Sequence, residues 1–267
     1  MAPTFRSGKG TVTLFNNANL SPILQNVAVE ASADALGVTA HGNNDDVFIA
    51  GLRGGTISFD GMYDGTAFST ASTASTGALD SKLHAALAST RQPIITVGVE
   101  GDTLGLRARM MQTETVSYTA MSPVEDVVKV AASAQVSGRQ DYGVWLHALA
   151  ARSSTSSTFS SVDSAYDAGT TGGGVGHLHV TAASVAGMTV TIQHSSAVSA
   201  STASWADIIT FTSVTESSAA ATSVQRSTVS GTIKRRTRAT ISAFSTASGN
   251  STTATFAVAF ARRGLQR

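Results

Sequence analysis

A chain of 267 residues and 27.2 kDa has room for one large β domain or two small ones and is long enough to bury a substantial core. A formal net charge of +1 excludes a global attraction to nucleic acid or to an anionic membrane, and the absence of cysteine excludes disulfides and thiolate metal sites. Only 13% of the residues are charged, less than a soluble monomer ordinarily carries, so much of the surface is expected to be covered; a Ser/Thr-rich secreted domain is the plain alternative.

The charge is unevenly divided. Residues 1–150 hold 9 Lys/Arg against 13 Asp/Glu, and residues 151–267 hold 9 against 4. Such a division suits a subunit whose two ends or faces meet different partners. The opening Met-Ala-Pro-Thr-Phe-Arg lacks the apolar core of a secretory signal, and no run approaches the roughly 18 apolar residues of a membrane span. The expectation is synthesis in the cytoplasm without membrane insertion.

Short alternating segments dominate the chain. Val27–Glu30 and Val47–Ala50 read as strands, and Thr56–Tyr63 places Ile57, Phe59 and Gly61 on one face against Ser58, Asp60 and Met62 on the other. Leu79, Leu83, Ala86 and Leu87 recur at helical spacing before Pro93, so the spacing predicts one short helix near 79–89. Ile94–Val99 and Leu104–Met110 form a hairpin around Glu100-Gly101-Asp102-Thr103, whose Gly and Asp tolerate the backbone angles of a tight reversal. Val127–Val136 and Tyr142–Leu149 read as a second hairpin turning at Ser137-Gly138-Arg139-Gln140.

Residues 153–174 are Ser/Thr/Gly-rich and read as a loop, or as an arm that orders on assembly. The last third returns to strands at Val190–Gln193, Ile208–Val214, Val224–Val229, Ile233–Ile241 and Thr255–Ala261. In the last of these Phe256, Val258 and Phe260 oppose Ala257 and Ala259, a pattern suited to a central strand covered on both faces. The fold class is therefore all-β with one short helix, a β-sandwich or barrel. Residues 1–152 make one β unit, and residues 175–267 either complete it or form a second β-sandwich.

Catalytic signatures are missing. Gly172-Gly173-Gly174 has no following Lys and helix to bind phosphate, and there is no Gly-x-Ser-x-Gly elbow. A polymer hydrolase needs paired carboxylates, and residues 151–267 offer only Asp163, Asp167, Asp207 and Glu216. The alternate residues His177 and His179, with His194, are the best metal candidates. With Leu178 and Val180 pointing inward, however, the two histidines are expected simply to occupy a polar strand face. No enzyme activity, cofactor or metal is expected. Lys234, Arg235, Arg236 and Arg238 form the densest charge cluster, to be read as a phosphate contact, as an interface with the acidic first half, or as a solvated strand face. Trp145 and Trp205 are expected to anchor the core.

Two stretches resemble the tail tube (major tail) proteins of long-tailed, siphovirus-type bacteriophages. One is Ala33-Asp34-Ala35-Leu36-Gly37-Val38-Thr39-Ala40-His41-Gly42, followed by Gly51-Leu52-Arg53-Gly54-Gly55-Thr56-Ile57 and Gly61-Met62-Tyr63-Asp64. It is similar to that family's early strand, loop and "G-L-x-x-G-T-I" pattern, with Gly37-Val38-Thr39 where an Asp-Val-Thr-like core is usual. The other runs from Val190-Thr191-Ile192-Gln193-His194 through Ser204-Trp205-Ala206-Asp207 to Arg238-Ala239, with Thr237 where the family often has an aromatic.

The resemblance implies a tail-tube β-sandwich or barrel whose subunits form rings, usually hexameric, stacked into the hollow conduit for DNA delivery in the virion. Its implied partners are other copies of the chain, a tape measure protein in the lumen, tail terminator and tail-tip proteins, and double-stranded DNA passing without specific binding. It further implies that Gly37, Val38, Thr39, His41, Gly42, Leu52 and Arg53 help to join subunits or successive rings. In such a tube some of Asp45, Asp46, Asp60, Asp64, Glu100 and Asp102 are expected to line the lumen and repel phosphate. A capsid decoration protein or a tail-tip carbohydrate-binding module is the competing reading, and it predicts exposed aromatic residues.

Overall fold

The computed structural model describes residues 8–38, 46, 48–63, 79–87, 89–123, 126–153, 159–163, 170–197, 203–215, 221–245 and 253–264. Nearly all of its regular structure is antiparallel β, with one short α-helix. In chain order the strands are β1 (Val12–Phe15), β2 (Ala18–Asn19), β3 (Leu24–Gly37) and β4 (Phe48–Met62). The helix α1 (Leu79–Leu87) comes next. Then follow β5 (Ile94–Gly98), β6 (Arg107–Met121), β7 (Lys129–Val136), β8 (Asp141–Arg152) and β9 (Val162–Asp163). The last third supplies β10 (Gly174–Ala183), β11 (Gly187–Ser195), β12 (Ala206–Thr210), β13 (Ala221–Val229), β14 (Arg236–Ser245) and β15 (Ala254–Arg262).

Eleven strands share one sheet. Its spine runs β13-β10-β15-β8-β6-β5-β1-β2, and β7, β4 and β3 branch from β6. The branch corrects one expectation. Residues 137–140 do not reverse the chain: β7 pairs Val136 to Lys129 with Thr113 to Met121 of β6, and β8 continues the same course by pairing Asp141–Val144 with Met110–Arg107. Ser137 N–H donates to Gln112 C=O between the two stretches, so Ser137–Gln140 is a bulge in one long edge, with Gly138 at φ +78° absorbing the extra length. The β5–β6 hairpin forms as expected, and its turn is fixed by Gly101 at φ +107° and by Asp102, whose carboxylate accepts the Leu149 N–H at 2.8 Å.

Three cores lie between the layers. In the first, Phe15, Leu20, Ile95 and Val97 face Ile57, Phe59, Val130 and Ala132, and Leu83 and Ala86 of α1 close one side. Leu87, expected on that buried face, is 41% exposed. In the last third, β13-β10-β15-β8 packs against a second sheet, β12-β11-β14-β9. Leu178, Val180, Phe256, Val258 and Phe260 there meet Met188, Val190, Ile192, Ala239 and Ile241; each such side chain contributes about 1.5–3 kcal/mol on burial. The third core lies on the opposite face of β10 and β15, where Val175, Ala257, Ala259 and Ala261 meet Leu14, Met110 and Trp145.

Strands β10 and β15 are thus covered on both sides, as the Phe/Ala alternation of 256–261 predicted. For the same reason His177 and His179 do not sit on a solvated face: both are fully buried. Trp145 is a core anchor, whereas Trp205 is only half-buried and lies under the Arg238 guanidinium, 4.0 Å from its ring centroid. The described part of 153–174 is held to the body. Phe159 packs on His147 and Phe256, Val162 and Asp163 pair with β14, and Thr170 bridges to Ile233.

Candidate functional site

The surface best suited to a function is the outer face of the four-stranded sheet β3-β4-β7-β6. Alternation sends Ile57, Phe59, Val130 and Ala132 inward and leaves four cross-strand rows outside, the last of them Met62, Lys129 and Met121 with both methionines exposed. The registers align Asn26, Asp60, Ala131 and Thr119 in one row, Ala28, Ser58, Ser133 and Ser117 in the next, and Glu30, Thr56, Gln135 and Glu114 in the third. Every residue of these three rows is small, polar or acidic. Hydrogen bonds run along the rows: Asn26 Nδ2 donates to Asp60 at 3.4 Å, Thr56 Oγ1 donates to Glu30 at 3.2 Å, and the Ser117 and Ser133 hydroxyls meet at 2.7 Å. These three rows make a hydrophilic stretch carrying three carboxylates, bordered by exposed Val116 at the β6 register shift and by Met62 and Met121 on either side of Lys129, which pairs with Asp126.

Both side edges of this sheet lack a strand partner among the described residues. β3 pairs only with β4, and β6 beyond Thr113 pairs only with β7. Exposed edges of this length invite pairing with another chain. The far half of the β3/β4 hairpin extends past the end of β7, since the last β4–β7 pair is Thr56 with Gln135, and it forms an arm with apolar residues on both faces. Phe48 (61% exposed) lies on one face beside Gly37, Leu36 pairs across from Ile49 on the other, and Leu52 (83% exposed) sits at the register shift between Ala50 and Arg53. An arm that shows Leu and Phe to water on both faces has the character of a segment waiting for a partner.

No family model matches the sequence, and no curated protein matches it. Among solved structures, the tail of an empty gene transfer agent particle, refined with C6 symmetry, is 13% identical, with 52% of this chain aligned to 98% of that one at a TM-score of 0.40. The SPP1 tail tube is 16% identical over 49% of this chain and 76% of that one, at a TM-score of 0.39. The SPP1 Dit protein, described as a hub of the adsorption apparatus, is 12% identical over 94% of this chain and 98% of that one, at 0.35. With scores this low, the functional reading below rests on the chain's own residues and geometry.

The residues singled out in the sequence are dispersed. Asp60 lies on the polar face; Glu30 and Glu114, which join it there, were not singled out. Glu100 is exposed on the β5–β6 turn, at the opposite end of β6, and Asp102 beside it is committed to holding that turn. Asp46 is exposed at the start of the arm's second strand. Gly37, Val38, Leu52 and Arg53 are all exposed in the arm, Val38 at 45%. Thr39, His41, Gly42, Asp45 and Asp64 lie outside the described residues.

The basic strand is not a bare cationic face. Arg235 grips Asp163 with Nε at 2.8 Å and Nη2 at 3.1 Å, and Arg236 reaches the same carboxylate at 2.8 Å. The Arg235 hydrogen bond comes first in holding the Asp163 carboxyl below the usual carboxylate range. Arg238 donates to Gln193 at 2.8 Å and stacks on Trp205. The backbone N–H of Lys234 donates to His194 Nδ1. These side chains therefore fasten β9 and the approach to β12 within the second sheet, and Arg235 and Arg236, neighbours in sequence, converge on one carboxylate. Among the described residues no group of three or more His, Asp or Glu gathers as a metal site requires, and His179 spends both ring nitrogens on Thr96 and Asn16.

Proposed function

We propose that this chain is a structural subunit of a phage tail that associates with copies of itself into stacked rings, forming a hollow tube through which DNA passes. The observation that carries the reading is a four-stranded sheet with no strand partner on either side edge among the described residues and three outward rows of polar and acidic residues. Pairing the β3 edge of one copy with the β6 edge of the next is a heterologous contact, and such contacts close into rings. Closure satisfies both edges and turns the polar rows of successive copies into one continuous lining.

Glu30, Asp60 and Glu114 then present negative charge to the phosphate backbone, so DNA slides past without adhering. The apolar arm reaches beyond the sheet to a neighbouring copy, in the same ring or the next. Residues 1–152 supply the tube, and residues 175–267, completed by β8, form the layer outside it. Tape measure, terminator and tail-tip proteins are the partners such a tube would meet.

The test is negative-stain electron microscopy of the purified chain over a concentration series. Rings or hollow cylinders of uniform diameter are the expected result, with ring order read by averaging. A monodisperse monomer at every concentration would sink unaided self-assembly and favour the decoration or glycan-binding reading. The lining makes a separate prediction. In tubes of a Glu30→Lys, Asp60→Lys, Glu114→Lys variant, double-stranded DNA should be retained at low salt and released as salt rises, with a log–log slope of about −0.9 per phosphate contacted. Wild-type tubes should retain none, and equal retention by both would remove these three residues from the lining.

A further inference from the structure

A chain of hydrogen bonds crosses the buried junction between the N-terminal strands and β10. His179 Nδ1 lies 2.6 Å from the Asn16 carbonyl, His179 Nε2 lies 2.8 Å from Thr96 Oγ1, and Thr96 Oγ1 lies 3.0 Å from His177 Nδ1. Each donor is fixed by the next acceptor. The Asn16 carbonyl only accepts, so the His179 proton is on Nδ1. His179 Nε2 therefore accepts, and the Thr96 hydroxyl donates to it. The Thr96 oxygen is then left to accept from His177 Nδ1–H. What remains is His177 Nε2, a buried acceptor with no partner among the described residues.

The members of this chain come from separate elements. Asn16 sits at φ +51° in the β1–β2 turn, Thr96 is on β5, and the histidines are on β10. The same turn is fastened by Asn17, which donates to Thr222 and accepts from Lys82 of α1. Across β10, Arg226 of β13 pairs in register with His177, while β15 presents only Ala257 and Ala259. Arg226 lies 3.8 Å from Asp141, and among the described residues it is the charged side chain that acts on His177.

We infer that the Asn16–His179–Thr96–His177 chain is an acid-sensitive latch, which holds the β1–β2 turn and β5 against β10 while both rings are neutral and releases them when either takes up a proton. A proton on His179 Nε2 sets two donors against each other unless the Thr96 hydroxyl turns to His177 Nδ1, which then must accept; His177 carries its proton on Nε2 instead, a buried donor with no acceptor among the described residues. A proton on His177 Nε2 creates an unpaired buried cation next to Arg226, which is strongly disfavoured.

Burial pushes His179 down to about 4, and burial, then His179 and Arg226, hold His177 well below its ordinary value. The sign follows: the open form takes up protons near 6.5 and the closed form only near 4. The closed form therefore keeps its full stability above about 6.5 and loses it as pH falls toward about 4. Between about pH 7.5 and 5, one such ring shifts the open-to-closed ratio by about 30-fold.

Hydrogen exchange of the full chain, corrected for intrinsic rates, reads this shift. Amides of 12–20 and 94–98 should open at least about 30-fold more at about pH 5 than at about pH 7.5, since His177 adds to the shift from His179, and the dependence should vanish in a His177→Asn, His179→Gln variant. His147→Gln should keep it: His147 is also held near 4, but on β8, where it stacks on Phe256. Equal opening at both pH values in the wild type, or a double variant that retains the dependence, would overturn the latch. If the double variant does not fold, ring resonances of the wild type decide. His177 and His179 should titrate in step with opening at 12–20, and titration without opening refutes the proposal.

Discussion

Replacing Phe48 and Leu52 together with glutamate is expected to leave a folded chain that no longer assembles. Both side chains are mostly exposed in the isolated subunit, at 61% and 83%, so their loss removes little from the monomer; surface changes of this kind stay within about 0.5 kcal/mol. In the proposed assembly the same side chains would be buried against a neighbour, where each large apolar group contributes about 1.5–3 kcal/mol. Losing both weakens the assembly by about 4 kcal/mol, close to a thousand-fold, and two buried carboxylates add their own desolvation cost. Sedimentation velocity and thermal melting measure the two halves of the expectation separately. Full-length tubes from the variant would show that the arm does not carry the contact. A large drop in Tm would show that the arm packs on its own body.

The second large effect is on stability. Asp141 opens β8 with its side chain 3% exposed, and it accepts from Arg263 at 2.9 and 3.1 Å. Arg139 stands at 3.4 Å and Arg226 at 3.8 Å. The carboxylate hydrogen bond raises Arg263 above its ordinary range. Asp141→Ala leaves three guanidinium groups facing one another around a void, and breaking a buried pair this way costs about 3–5 kcal/mol. For a chain of this size the Tm should fall by about 10 °C. Because Arg226 is on β13 and Arg263 follows β15, the loss should show as loosening of the β13-β10-β15-β8 sheet. A change in Tm under about 2 °C would mean that the arginines find solvent or other acceptors without strain.

Local pattern was enough to read the helix, the β5–β6 hairpin, the inward face of β4 and the two-sided burial of β15, because each is set by the spacing of apolar residues or by one turn. The reading failed where distant strands decide. Ser137-Gly138-Arg139-Gln140 has the chemistry of a reversal, and only the pairing of both flanks with β6 reveals a bulge. His177 and His179 alternate with Leu178 and Val180 as a polar face would, but a second layer built from β1, β2 and β5 covers them. Glu30 and Glu114 lie 84 residues apart in sequence and share a row only because β4 and β7 stand between them in register. The run from Lys234 to Arg238 looks like a cationic face until Asp163, about 70 residues earlier, is folded against it.

The use of β8 by two sets of neighbours bears on how the gene could be edited. Its first residues pair with β6, and the rest of the strand pairs with β15 and helps cover Phe256 and Phe260 through Leu146. The change of composition after Arg152 looks like a natural place to cut. A fragment beginning there would leave behind the strand that borders β15, and a fragment ending there would carry that strand with one flank bare. Grafting the last third onto another scaffold therefore requires taking residues 141–152 along, and a graft that begins at the visible seam would inherit an open edge in its own main sheet.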